Sequence, residues 1–450
     1  MARRKQRKKP IVNECECARK TVQALQRLYR QAPFARPGEL RKIGIEDEWP
    51  FVSADGSMGH CQPMIDYLIR HESGWTPHFD EMWRDVLIGA RHDQYGELKM
   101  EAGCGTLEWA SPPSSNLHRL AELRREIVNL LVATAERFRL FMLGTGRQPC
   151  TRGCKATAVL KYRYEFFYRR FGRAFDLLHE INSQQVQVEC RDPEEMVLLT
   201  NDLLMLTGFL TALAANSPIY WNKVGTLAAS RVSAWDEYAP GRVGIPDRPY
   251  IDLRDLCQEM WKAEYIFGPD DKRDGYRLYG RPFGEVVSRQ PMPKRLFRQH
   301  AFCHEGCRWE DTRPRACHGT IENRCDCQQP QWMGVSLPAL ILGLVENHIG
   351  RRSLLNLYDW RTWKRTRWTA AEFHFLAPIG NQHLGDLLPD LLDIAKIGLQ
   401  IRGQGEEDLL EPVRQLIEER KHPPAVDQIL AFQNGGIKEL IERFAYRLTT

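Results

Sequence analysis

The chain has 450 residues, 43% of them hydrophobic and 27% charged, which is enough apolar material for a large core and excludes a low-complexity or disulfide-stapled miniature fold. The net charge is +5, and Arg3, Arg4, Lys5, Arg7, Lys8 and Lys9 alone supply six positive charges, so the body of the chain is close to neutral and argues against a broad nucleic-acid-binding surface. No run approaches the roughly 18 apolar residues of a membrane span, no apolar leader follows Met1, and thirteen cysteines without an export signal predict reduced thiols in a cytoplasmic protein.

Taken in order, residues 1–12 read as a disordered basic tail and 14–31 as a helix, with Val22, Leu25, Leu28 and Tyr29 on one stripe. Pro33, Pro37 and Gly38 break the chain before a first strand at 41–52. Asp55-Gly56 marks a turn, and Met64 to Ile69 begins a short helix. The stretch 96–110 then predicts a hairpin. Leu98 and Met100 alternate with Lys99 and Glu101, Gly103 and Gly105 supply the turn, and Leu107 and Trp109 alternate with Thr106 and Glu108. Pro112-Pro113 stops it. Ser115 or Asn116 caps a long helix to about 138, whose Leu117, Leu120, Leu123, Ile127, Leu130 and Leu131 recur at helical spacing.

Residues 139–143 predict a strand ending at Gly144-Thr145-Gly146. The aromatic stretch 161–175 predicts packing rather than a nucleotide platform. Residues 184–190 predict a strand, and Pro193 opens a strongly apolar, buried helix to about 215, which Asn216-Ser217-Pro218 ends. Glycine, proline and charge predict loops at 236–250 and 267–284 that could cover a site. A strand at 320–327, a helix near 336–348 and helical stripes from 352 onward complete the chain. Strands interleaved with long helices, without a βαβ rhythm, predict an α+β fold: an antiparallel sheet with helices packed behind it and a helical C-terminal region.

Three of the predicted strands place polar groups two residues apart: Glu46 and Glu48; Gln185, Gln187 and Glu189; and Glu322, Arg324 and Asp326. The hairpin does so at Lys99 and Glu101 and can bring Glu108, seven residues on, to the same face as Glu101. On one sheet face they would make a floor of carboxylates with an arginine nearby. Carboxylates held close repel and call for a cation. Such a floor suits Mg²⁺ and the phosphates it carries. The bland alternative for the hairpin pair is a solvated face. Cys303-His304-Glu305-Gly306-Cys307 with Cys317-His318 invites a zinc reading, but its spacing is loose and lacks paired Cys-x-x-Cys knuckles; reduced loop cysteines without metal are the simpler reading. Gly144-Thr145-Gly146 has no Lys-Ser/Thr after it and is no phosphate loop.

Together these pieces resemble the glutamate–cysteine ligase-like family of carboxylate–amine ligases, whose core is related to the glutamine synthetase catalytic sheet. The resemblance rests on Gly44-Ile45-Glu46-Asp47-Glu48, on Glu101 and Glu108 around a glycine turn, and on the strand 184–190 leading to Ala214-Ala215-Asn216-Ser217-Pro218. It rests also on Arg231 and on Gly319-Thr320-Ile321-Glu322-Asn323-Arg324 through Gln329-Pro330. It runs from about 40 to 350 and fades afterwards. Two positions depart from it: Gln185 and Gln187 stand where many bacterial members carry histidine, and Cys327 stands where the family's aspartate usually sits, with Asp326 before it.

The resemblance implies an ATP-dependent ligase catalytic domain over 13–350, with 351–450 a helical part of the same domain. It implies Mg²⁺ held by Glu46, Glu48, Glu101, Glu108 and Glu322, with Gln185 and Gln187 contacting cofactor or substrate. Arg324, assisted by Arg231, would pair with the substrate carboxylate or the transferring phosphate. The implied reaction joins an amino-acid carboxylate, by analogy glutamate, to an amine through an acyl phosphate. A homo-oligomer is compatible with the sequence. The alternative is a repurposed member that binds zinc or nucleic acid; an amidohydrolase, a third reading, lacks a histidine-rich metal motif.

Overall fold

Alternation over residues 43–48, followed by the fully buried run 49–52, builds the strand on which the fold is centred. In the computed structural model, which describes residues 14–270, 275–288 and 292–449, Ile43–Val52 (β1) buries Ile43, Ile45, Asp47 and Trp49 on one face and turns Glu46 and Glu48 to the other. The predicted tail at 1–12 lies outside the described residues.

The strand β1 joins Thr76–Phe79 (β2), Leu87–His92 (β3), Gly96–Met100 (β4), Thr106–Ala110 (β5), Phe141–Met142 (β6), Gln184–Glu189 (β7), Thr312–Arg315 (β8) and Thr320–Asn323 (β9). The sheet runs β8-β9-β7-β1-β5-β4-β3-β2, with β6 beside the end of β1, and every neighbouring pair is antiparallel. This is the α+β antiparallel architecture the sequence predicts. The register sets the site: Glu48 lies opposite Glu108, Glu108 opposite Lys99, Glu46 opposite Gln185, and Glu322 between Gln187 and Arg313.

The other face is apolar and covered. Helices Pro193–Leu213 and Ser336–Glu346 pack on the sheet, Trp360–Phe373 packs on the first and Leu384–Arg402 on the second. A single buried cluster runs from Val22 to Tyr446, joining residues on both sides of position 350. Taken singly, Pro193–Leu213 is the one helix among the described residues long and apolar enough to cross a membrane, contrary to the reading of the sequence; 83% of its most apolar window is buried inside the protein, so it serves as the core helix behind the sheet. Its Asp202 is fully buried and bound by Arg351 and Arg352, at 2.9 and 2.7 Å. Asp47, on the core side of β1, is likewise matched by Arg124 at 2.7 Å.

Asn116 is the cap of Leu117–Arg137, its Oδ1 accepting from the Arg119 amide at 2.9 Å. The aromatic stretch does pack: Tyr164, Phe166, Phe167 and Phe175 are buried. Other expectations change. The predicted strand at 139–143 shortens to β6, after Arg139 takes a positive φ of 57°. Of the predicted loop at 236–250, the first residues belong to the helix Arg231–Tyr238. The predicted loop at 267–284 is largely a hairpin, Glu264–Pro269 against Tyr276–Pro282, followed by the short helix Phe283–Val287. Tyr276–Pro282 is wet on both faces and so carries no alternation to read. Gly103 and Gly105 are needed for close approach and not for a left-handed turn. A Cβ would stand 2.2 Å from the His179 carbonyl oxygen at the first and 2.4 Å from Met58 at the second.

Candidate active site

The polar face of the sheet forms the floor of a cavity of about 590 Å³. Glu46, Glu48, Glu101, Glu108, Gln185, Arg231 and Arg324 all line it. One oxygen from each of Glu48, Glu101 and Glu108 lies within 4.8 Å of the others, and among the described residues this is the one group of three or more potential metal ligands. The hairpin brings Glu101 and Glu108 together because Lys99 pairs with Glu108, which puts Glu101 on the same face.

Each carboxylate has a distinct environment. Glu108 meets Lys99 Nζ at 3.2 Å, and the charge of Glu108 is the chief reason Lys99 holds its proton more firmly than usual. Glu101 meets Lys161 Nζ at 3.6 Å and accepts from the Tyr164 hydroxyl at 3.1 Å. Burial works against its charge, but Lys161 and Arg163 overcome it and hold Glu101 below the ordinary range. Burial, in turn, lowers the pKa of Lys161 in spite of Glu101.

Glu48 has neutral hydrogen-bond partners, Ser183 Oγ at 2.7 Å and Gln185 Nε2 at 3.0 Å. Burial, then the charges of Glu101 and Glu108, push its carboxyl up to about 8. Glu46 accepts from Gln187 Nε2 at 2.9 Å, and burial followed by Glu108 and Glu322 pushes it up to about 7. The two glutamines, standing where the resemblance expects histidine, are therefore donors to carboxylates and cannot titrate.

Glu322 lies on β9, separated from β1 by β7, and is not among the residues that line the cavity. Both its oxygens are engaged, by Arg313 at 2.8 Å, by Arg315 at 2.5 Å and by Arg324. These guanidiniums hold it well below the usual carboxylate range although burial opposes them. Arg324 also donates to Gln185, and Arg231 supports it by donating to its carbonyl at 2.6 Å. Arg231 and Arg324 flank the ring of Trp235, at 5.8 and 5.5 Å from its centroid. Asp326 lies fully buried away from the carboxylate trio, its carboxyl pushed up to about 7 chiefly by burial, and Cys327 meets Ser217 Oγ at 3.4 Å.

The cysteine–histidine stretch does not gather. His304 stacks on Phe283 and hydrogen-bonds the Met260 carbonyl; Cys303 and Cys307 line the cavity, while Cys317 meets Glu305. Sequence reasoning missed Lys161, Arg163 and Tyr164, which it took for packing, and Arg313 and Arg315, whose strand it did not see. The signal was available in the last case. Arg313 and Arg315 show the same two-residue spacing as Glu322 and Arg324, interrupted by Pro314, which an edge strand tolerates.

The sequence matches the glutamate–cysteine ligase family 2 (GCS2) over residues 80–443. The match extends well past 350, where the motifs that carry the resemblance fade. Chloroplastic glutamate–cysteine ligase of Solanum lycopersicum is 26% identical over 216 residues, 46% of this chain and 40% of that one, so the match spans less than half of that relative. Two solved structures share the fold. Glutamate–cysteine ligase of Francisella tularensis, in complex with AMP, has a TM-score of 0.52 at 12% identity, covering 93% of this chain and 91% of that one. The bifunctional glutathione synthetase of Pasteurella multocida has a TM-score of 0.51 at 14% identity, covering 94% of this chain and 53% of that one. With the profile covering most of its length, the chain belongs to glutamate–cysteine ligase family 2.

Proposed function

We propose that the chain is an ATP- and Mg²⁺-dependent carboxylate–amine ligase that forms an amide, γ-glutamyl in the manner of its relatives, through an acyl phosphate. The observation that carries this reading is the convergence of Glu48, Glu101 and Glu108 in a cavity that a group of arginines also lines. The donor set is all carboxylate oxygen, which fits Mg²⁺ and not a soft metal. Bound there, the ion would neutralise phosphate charge and tie ATP to the sheet.

The chain's own groups do the rest. Glu48, Glu101 and Glu108 hold the ion, with Glu46 beside them as a further carboxylate. Gln185 and Gln187 orient Glu48 and Glu46 by donating to them, and the amides themselves carry no charge that titrates. Arg324 presents a guanidinium fixed at one nitrogen by Gln185 and Glu322. Its remaining N–H groups suit the carboxylate of an amino acid or the transferring phosphate. Arg231 keeps that fork in place from behind. Glu322 anchors the arginines; to ligate the metal as well it must release one of them.

The reading is tested by phosphate release from ATP and Mg²⁺ with a panel of carboxylate and amine pairs, glutamate first. Hydroxylamine in place of the amine should trap a hydroxamate. Amide formation with AMP as the nucleotide product and no trapped hydroxamate would replace the acyl phosphate with an adenylate.

A further inference from the structure

The cavity holds several arginines, and all but one have a hydrogen-bonded or ion-paired partner among the described residues. Arg313, Arg315 and Arg324 bind Glu322, Arg231 binds the Arg324 carbonyl, and Arg91 binds Glu97 at 2.5 Å. Arg163 lines the same cavity and is exposed to its solvent. It rests on the rings of Tyr164 and Phe167, 5.4 and 5.7 Å from their centroids, and makes no hydrogen bond or ion pair with the described residues. A guanidinium carries five N–H donors, so a full fork stands open beside Glu101, with two aromatic faces fixing its direction.

Charge points the same way. A divalent ion at Glu48, Glu101 and Glu108 would join Lys161, whose ammonium faces Glu101, and Lys99, which faces Glu108, so positive charge at the three carboxylates would exceed negative. Lys99 bridges Glu108 and Glu97, and Arg91 pairs with Glu97. Arg163 supports Glu101 only through space, so its N–H groups remain open to an anion. Three carboxylate oxygens also leave about three positions open on an octahedral ion, to be filled by ligands from outside the chain. An anion that arrives with the metal would meet both needs.

We propose that Arg163, held beside Glu101 by Tyr164 and Phe167 and backed by Lys161, binds the terminal phosphate of a nucleotide triphosphate, as a catalytic contact on the side of the phosphate away from Arg324. The inference rests on the ligase reading above but concerns a residue which that reading does not use. The fork and the exposed position favour a bidentate phosphate contact. A substrate carboxylate offers similar chemistry, and the test separates the two.

Calorimetric titrations with Mg²⁺ and ATP, ADP, AMP or glutamate, each without a co-substrate so that nothing turns over, compare the wild type with Arg163→Gln and Arg163→Lys. The expected result is that Arg163→Gln weakens ATP about ten- to hundredfold, the worth of a charged hydrogen-bond pair. AMP and glutamate should bind as before, and Arg163→Lys should recover part of the loss. The variants should stay folded, because Arg163 makes no hydrogen bond that holds the fold, with at most a small drop in melting temperature from the weaker support of Glu101. Equal affinity of the wild type and Arg163→Gln for ATP would overturn the inference and leave the ligase reading standing. A loss confined to glutamate would overturn it in favour of the substrate carboxylate. A wild type that binds no nucleotide would remove both.

Discussion

Lys99 Nζ lies 3.2 Å from Glu108 Oε1 and 3.2 Å from Glu97 Oε2, so a cation is already built into the carboxylate row. Any metal that takes Glu108 competes with this ammonium. In the Lys99→Met variant Glu108 is free, and Mn²⁺ affinity in the absence of nucleotide should rise on the order of tenfold, given the charge separation involved. Electron paramagnetic resonance titration reads this directly. Unchanged affinity would mean that Glu108 is not a ligand.

The three converging carboxylates should separate in stability but not in catalysis. Glu101 and Glu108 each have a lysine, whereas Glu48 has neutral partners and the raised pKa. Glu48→Gln should therefore raise the melting temperature in metal-free buffer. Glu101→Gln should lower it, because buried Lys161 loses its partner. All three glutamine variants should lose turnover by about a hundredfold or more, the usual cost of one lost electrostatic contact to the reacting phosphate. Normal turnover in any of them would take that residue out of the metal site.

The pH dependence of the metal-free protein has a defined sign. Folded Glu46 and Glu48 keep protons where the unfolded chain has lost them. Their contribution to stability is full below the unfolded carboxylate value of about 4.3. It is lost as pH rises through about 7 for Glu46 and about 8 for Glu48. The metal-free melting temperature should decline from about pH 4.5 to about pH 8 and level off above, the decline should shrink with saturating Mg²⁺, and Glu48→Gln should flatten it. A flat profile in the unmodified protein without metal would show that the floor is not electrostatically stressed.

Adjacent residues of β1 should give opposite phenotypes. Asp47 points into the core and pairs with Arg124, while its neighbours Glu46 and Glu48 face the cavity. Asp47→Ala should destabilise the fold by about 3–5 kcal/mol through the uncompensated arginine, with metal affinity retained in whatever remains folded. Glu46→Gln should do the reverse. Denaturant melts paired with metal titration distinguish them.

These contrasts show what the sequence makes legible. The alternation around Glu46 and Glu48, and around Glu101 and Glu108, locates the floor because period two is local information. The partners of those residues are not local. Lys161 comes from an aromatic helix start that reads as core, and it is core as well as site. Arg313 and Arg315 meet Glu322 only because β8 lies beside β9, a pairing hidden by Pro314. The Tyr276–Pro282 strand escapes because hydrogen bonding and not burial defines it. Backbone periodicity revealed the carboxylates, and tertiary charge pairing decides which of them are strained.

Asp202 sets an order of events during synthesis. It sits in the middle of the apolar helix Pro193–Leu213, and the charges that answer it, Arg351 and Arg352, come some 150 residues later. Until they leave the ribosome, the helix that backs the polar sheet carries both an uncompensated aspartate and a large sticky surface, the combination that chaperones recognise and that drives aggregation. A nascent chain halted before residue 351 should thus resist final docking even though every cavity-floor carboxylate has already been made, and position 350, for all its fading motifs, marks no place where the protein could be cut in two.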